Sequence, residues 1–105
     1  MLFTVNKSPF GTDHLQSALR VAPKGSPILL YEDGVYGALE GTRTAELVKS
    51  ALVEHAIYAL QADLEARGLS VPGQAGPSKM INGIQVVGYD GFVELVEQHD
   101  VAPWL

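Results

Sequence analysis

Short apolar runs alternate along this chain with stretches in which apolar residues recur every three or four positions. Leu2-Phe3-Thr4-Val5, Ile28-Leu29-Leu30-Tyr31, Ala56-Ile57-Tyr58-Ala59-Leu60 and Ile84-Gln85-Val86-Val87 have strand length. The second is an unbroken apolar run, the pattern of a strand covered on both faces. Between the first two, Leu15, Ala18, Leu19 and Ala22 form the stripe of a helix with Thr12 as its cap and Asp13 in its first turn. Pro23-Lys24-Gly25 closes it. Glu32-Asp33-Gly34 reads as a turn, and residues 35–39 as a short helix ended by Gly41. Thr42 then caps a helix that buries Ala45, Val48, Ala51 and Leu52. Residues 61–68 form a brief helix with Arg67 in the last turn and Gly68 past the end.

Residues 71–83 hold three glycines and two prolines, the composition of a mobile loop. Asp90 caps a last helix that buries Phe92, Val93 and Val96, and residues 100–105 form a tail. Strands alternating with helices predict an α/β fold: one domain over residues 1–105, a mostly parallel sheet of four or five strands, and helices on both faces. A sheet this small leaves edges open to pairing, which a subunit of an assembly manages more easily than a monomer.

Composition narrows the function. The 105 residues carry a net charge of −5, and their seven Lys and Arg are scattered, which argues against direct nucleic-acid binding. No stretch approaches a membrane span and the start lacks the layout of a secretion signal, so a cytoplasmic location is expected. There is no cysteine, hence no disulfide, no thiolate metal site and no thiol nucleophile.

The candidate chemistry is thin. The turn after a central strand is where doubly wound sheets meet ligands. Here it has no phosphate-cradling glycine loop, nucleophile or metal-ligand spacing, and no cofactor is expected. Asp33, Asp63 and Asp90 each follow a strand, and converging carboxylates hold Mg²⁺ or perform acid–base work. The ordinary alternative is that each caps the following helix. His14, His55 and His99 lie on separate elements without a ligand-spaced partner, and Ser8 lacks the setting of a nucleophile elbow. Tyr31, Tyr36, Tyr58 and Tyr89 fall at strand ends and turns, where protein interfaces favour aromatics. Trp104-Leu105 either folds back on its own domain or docks on a neighbour.

Residues 2–10 (LFTVNKSPF), 28–39 (ILLYEDGVYGAL), 58–68 (YALQADLEARG) and 87–96 (VGYDGFVELV), with Trp104-Leu105, resemble the TusB/DsrH family of sulfur-relay proteins. The first block is similar to the DsrH side, found in sulfur-oxidising bacteria, more than to the TusB side, which serves tRNA thiolation. The resemblance implies a DsrE-like fold and a heterohexamer, a dimer of heterotrimers, with DsrE/TusD-like and DsrF/TusC-like sisters. In such complexes a cysteine of the DsrE or TusD subunit carries a persulfide and exchanges sulfur with DsrC/TusE-like and TusA-like carriers. Some DsrH members have a cysteine in the first helix, near the position of Ser17-Ala18 here. Without one, this chain is expected to be a non-catalytic subunit with no catalytic, cofactor or metal residues of its own. Glu32, Asp33, Tyr36, Arg67, Trp104 and Leu105 are its candidate interface residues.

Overall fold

The structure is a computed structural model that describes residues 1–69 and 79–104. Its strands are β1 (Leu2–Val5), β2 (Ile28–Leu30), β3 (Ile57–Leu60), β4 (Gln85–Val87) and β5 (Val101–Trp104). They form one five-stranded sheet in the order β4-β3-β2-β1-β5, with every neighbouring pair parallel. The helices are α1 (His14–Val21), a 3-10 helix (Glu32–Ala38), α2 (Ala45–Ala51), α3 (Gln61–Ala66) and α4 (Tyr89–Gln98).

Strand order fixes where the helices lie. From β1 to β4 the chain steps one strand at a time in one direction. Right-handed crossovers therefore place α1, the 3-10 helix, α2 and α3 on the same face. The last connection reverses, carrying α4 back across the sheet on the other face. Side-chain alternation agrees. Phe3, Val5, Ile28, Leu30, Ile57 and Ala59 point into the large core with Leu15, Ala18, Val35, Val48 and Leu64. Leu2 and Leu29 point the other way, into a small core with Leu95, Phe92 and Tyr58. Helices on both faces were expected; the imbalance between the two layers was not legible.

Several boundaries move. The 3-10 helix begins at Glu32, so Asp33 and Gly34 belong to its first turn and not to a separate turn. An added Cβ on Gly34 would run into the Val5 carbonyl, so only glycine lets this helix start so close to the end of β1. The residue before α2 is the buried Thr44, while Thr42 Oγ1 donates to the Leu39 carbonyl at 3.3 Å; Thr42 is part of the turn, not the cap. Asp13 occupies the position before α1 without capping it, while Thr12 Oγ1 accepts the His14 N–H at 3.4 Å. In α4, Leu95 is the buried residue and Val96 is exposed, because the helix begins at Tyr89 and its sheet-facing row falls one position earlier.

Two stretches read as irregular are pinned to the fold. Residues 71–78 of the expected loop lie outside the described residues. Its end is fastened by Glu40 N–H to the Lys79 carbonyl at 2.9 Å and Ile81 N–H to the Ala38 carbonyl at 2.8 Å. Ile81 is buried beneath this bridge. The tail supplies β5, whose residue Val101 pairs in register with Leu2 and Trp104 with Val5. Leu2 N–H donates to the Asp100 carbonyl, so alternation turns Pro103 toward the open edge, where a missing N–H breaks no ladder bond.

Candidate functional site

In a parallel sheet all carboxyl ends lie on one edge, which collects residues that are far apart in sequence. Here that edge gathers the end of β1, the start of the 3-10 helix and α3. Glu32 leaves β2 with φ of 48°, a left-handed conformation uncommon for a residue with a Cβ. Its N–H donates to Asp63 Oδ2 at 2.7 Å. Asp63 sits in the first turn of α3, and its carboxylate reaches back across the edge to fix that unusual backbone.

Arg67, just past α3, ties the arrangement together. Its Nε and Nη2 both donate to Asp33 Oδ1, at 3.0 and 2.9 Å. Nη1 donates to the Asp63 carbonyl at 3.1 Å and lies 3.6 Å from Asp63 Oδ1. The guanidinium is mostly covered, with 22% of its side chain exposed against 60% for Asp33. Arg67 thus spends its donors inside the protein, and what faces outward is the acidic rim of Glu32 and Asp33. Tyr36 is half-buried, with its ring 5.7 Å from that of Phe10.

The structure separates the three aspartates. Asp33 and Asp63 converge on one arginine, and Asp90 stands in the first turn of α4. Among the described residues no three acidic or histidine side chains are placed to hold a metal ion. The helix-capping alternative is overturned as well. Asp33 bonds Arg67, Asp63 bonds the Glu32 N–H, and the position before α4 is Gly88, with no side-chain cap. A neighbouring connection, not the following helix, claims Asp33 and Asp63.

The remaining candidates are dispersed. His55 is buried, with Nδ1 2.7 Å from the Ser26 carbonyl at the opposite, amino end of the sheet. His14 opens α1, and His99 follows α4. Ser8 Oγ accepts the Phe10 N–H at 3.1 Å, a turn contact. Trp104 ends β5 on the same edge as Arg67, and Leu105 lies outside the described residues.

The sequence pointed to the turn after the central strand, β2, as the place where such a sheet meets ligands. The strand order makes the crossovers change face between β3 and β4, where α3 leaves to one face and α4 to the other. Gln61 and Glu65, joined at 3.0 Å, stand on one side, and exposed Tyr89 on the other. That Tyr89 lies near a strand end was legible, but its exposure and the change of face beside it come from the fold.

This edge belongs to a small, fully parallel α/β protein with an arginine-tied acidic cluster where an enzyme of this layout would carry its chemistry. A family model described as "DsrH like protein" matches residues 7–102. Protein TusB of Serratia proteamaculans is 41% identical over 94% of both chains. Proteins TusB of Shigella flexneri and of Escherichia coli K12 are each 36% identical over the same share. The chain belongs to the TusB/DsrH family. In fold it is similar to a protein of unknown function from Methanobacterium thermoautotrophicum, with a TM-score of 0.73 at 16% identity, covering 97% of this chain and 96% of that one. A Thermotoga maritima protein solved by solution NMR gives 0.58 at 22% identity, covering 95% of each.

Proposed function

We propose that this chain is a non-catalytic subunit of a cytoplasmic, heteromeric sulfur-relay complex of the TusBCD/DsrEFH kind. The observation that carries the reading is membership of that family in a chain with no cysteine. Persulfide relay is attack by one thiolate on the outer sulfur of another cysteine's persulfide; a new persulfide forms on the attacker as the donor's S–S bond breaks and the donor cysteine leaves as a thiolate. A chain without a thiol holds neither end of that exchange. Its contribution is buried area, completion of the assembly and an acidic surface beside a sister's reactive cysteine. Glu32, Asp33, Tyr36 and Arg67 are the interface residues of this reading, with Trp104 and Leu105. The internal bonding of Arg67 and Asp33 favours their acting as a preformed, rigid surface.

Sulfur then passes from a DsrE/TusD-like sister to the small carriers. The family's two branches divide over its destination. The TusB name of the relatives favours the branch that feeds tRNA 2-thiouridine synthesis, while the LFTVNKSPF start favours the sulfur-oxidation branch. Co-expression with the DsrE/TusD-like and DsrF/TusC-like chains of the same source tests the assembly. One gel-filtration peak containing all three is expected, with contacts above roughly 1,000 Å². Separate elution of this chain would reject the reading. Mass spectrometry of tRNA from a strain lacking the chain decides the branch: lost 2-thiouridine supports the TusB role, and unchanged 2-thiouridine with arrested sulfur oxidation supports the other.

A further inference from the structure

Residues 80–105 contain four of the twelve acidic side chains, Asp90, Glu94, Glu97 and Asp100, and none of the seven basic ones. This quarter of the chain therefore holds nearly all of the net charge of −5. At helical spacing Asp90, Glu94 and Glu97 form one row on α4. The next row is Tyr89, Val93 and Val96, and beyond it Phe92 and Leu95 face the sheet. Tyr89 is 75% exposed and Val96 40%, and Val101, at the start of β5, is 41% exposed.

Four of the eight acids outside this quarter are ion-paired. Glu40 and Glu46 pair with Lys49, and Asp33 and Asp63 with Arg67. Among the described residues no ion pair or side-chain hydrogen bond reaches Asp90, Glu94 or Glu97, and residues 70–78 contain no charged residue that would change this. An exposed aromatic in an apolar row beside a charged row has the layout of an interface anchor and its rim. The sign of the rim selects the occupant. Nucleic acid and anionic lipid are repelled, and a second copy would set like charges against each other.

We propose that α4 docks a protein partner presenting lysine and arginine side chains around an apolar recess, with Tyr89 as the anchor and Asp90, Glu94 and Glu97 as the charged rim. The proposal rests on the reading of the chain as a subunit of an assembly. The acidic row steers the partner in and fixes its orientation, and the aromatic supplies the slow step of release.

The test is calorimetric titration of the purified chain with the purified DsrE/TusD-like, DsrF/TusC-like, DsrC/TusE-like and TusA-like proteins of its own source, at about 50 and about 300 mM salt. One of them is expected to bind roughly tenfold more weakly at the higher salt. Glu94→Lys with Glu97→Lys should weaken that binding at least ~10-fold and flatten its salt dependence, and Tyr89→Ala should weaken it at least ~10-fold. Glu54→Lys, on the connection before β3, should leave it unchanged. All these positions are exposed, and thermal unfolding checks that each variant stays folded. A partner that binds the wild type and both α4 variants equally overturns the proposal and leaves the subunit reading standing. Binding by none of the four proteins overturns both. Sedimentation of the chain alone supplies the other arm: a dimer dissolved by Tyr89→Ala overturns the proposal in favour of a second copy.

Discussion

The edge around Arg67 and the outer surface of α4 have similar ingredients and opposite constructions. Each has carboxylates just after a strand and a half-buried or exposed tyrosine nearby. At the edge, Asp33 and Asp63 are drawn onto one guanidinium, and a backbone N–H in a left-handed residue takes the remaining acceptor. On α4, Asp90, Glu94 and Glu97 have no cation within their own quarter of the chain. The first set is consumed in tying together two connections, those after β2 and β3. The second contributes little to the fold, and its self-repulsion is tolerated because water screens it. Acidic residues after strands are thus not one class: those on α3 and the 3-10 helix lie over the large core among neighbouring connections, whereas α4 is, among the described residues, the one helix on its face.

The contrast can be broken at the edge with the largest effect. Gly34→Ala forces a Cβ into the Val5 carbonyl, and the backbone of β1 or the 3-10 helix must move. A loss of about 3 kcal/mol or more is expected by urea denaturation, on the scale of severe overpacking. A loss below about 1 kcal/mol would show that the close approach is soft. Next come the two cores. Leu30→Ala, fully buried in the large one, should cost about 3–4 kcal/mol, and Leu95→Ala, in the thin layer under α4, about 2 kcal/mol. Equal losses would mean that the faces are equally packed, against the picture drawn here. The smallest effects compare the charges themselves. Arg67→Ala leaves Asp33 and Asp63 facing each other without a cation, and because Asp33 is well exposed the cost is held to about 1 kcal/mol. Raising the salt should shrink it. Glu97→Gln should change stability by less than about 0.5 kcal/mol. A comparable loss from both would erase the distinction between the two surfaces.

Comparison with the unpaired row also explains why Lys49 belongs with the edge in kind. Its hydrogen bond to Glu40, 2.7 Å away, is the main cause that raises its ammonium above the usual lysine range. Lys49 and Arg67 each sit between two acids, and no Lys or Arg lies in residues 80–105.

Periodicity and punctuation were sufficient for the strands of the large core and for α1, since Leu15, Ala18 and Leu19 face inward wherever the helix packs. The parallel character of the sheet was legible for the same reason: Ile28-Leu29-Leu30 has no polar face to offer water. Local rules failed where a distant segment outbid the nearest one. Asp33, Asp63 and Asp90 stand where helix caps are usual, yet Asp63 serves a backbone donor 31 residues away and Arg67 reaches 34 residues back to Asp33. No spacing in the chain encodes those meetings.

What the sequence by itself determined is the alternation of strand and helix, the absence of a thiol and the clustering of uncompensated acid in the last quarter, because these depend on residue types in local order. Only the tertiary structure decided which carboxylates meet a cation and that residues 101–104 close the sheet beside β1. It also decided that the crossovers change face between β3 and β4. The carboxylates meet Arg67 because β2 and β3 are neighbours, and the last two outcomes follow from the reversal of strand order after β4, which local propensity does not specify.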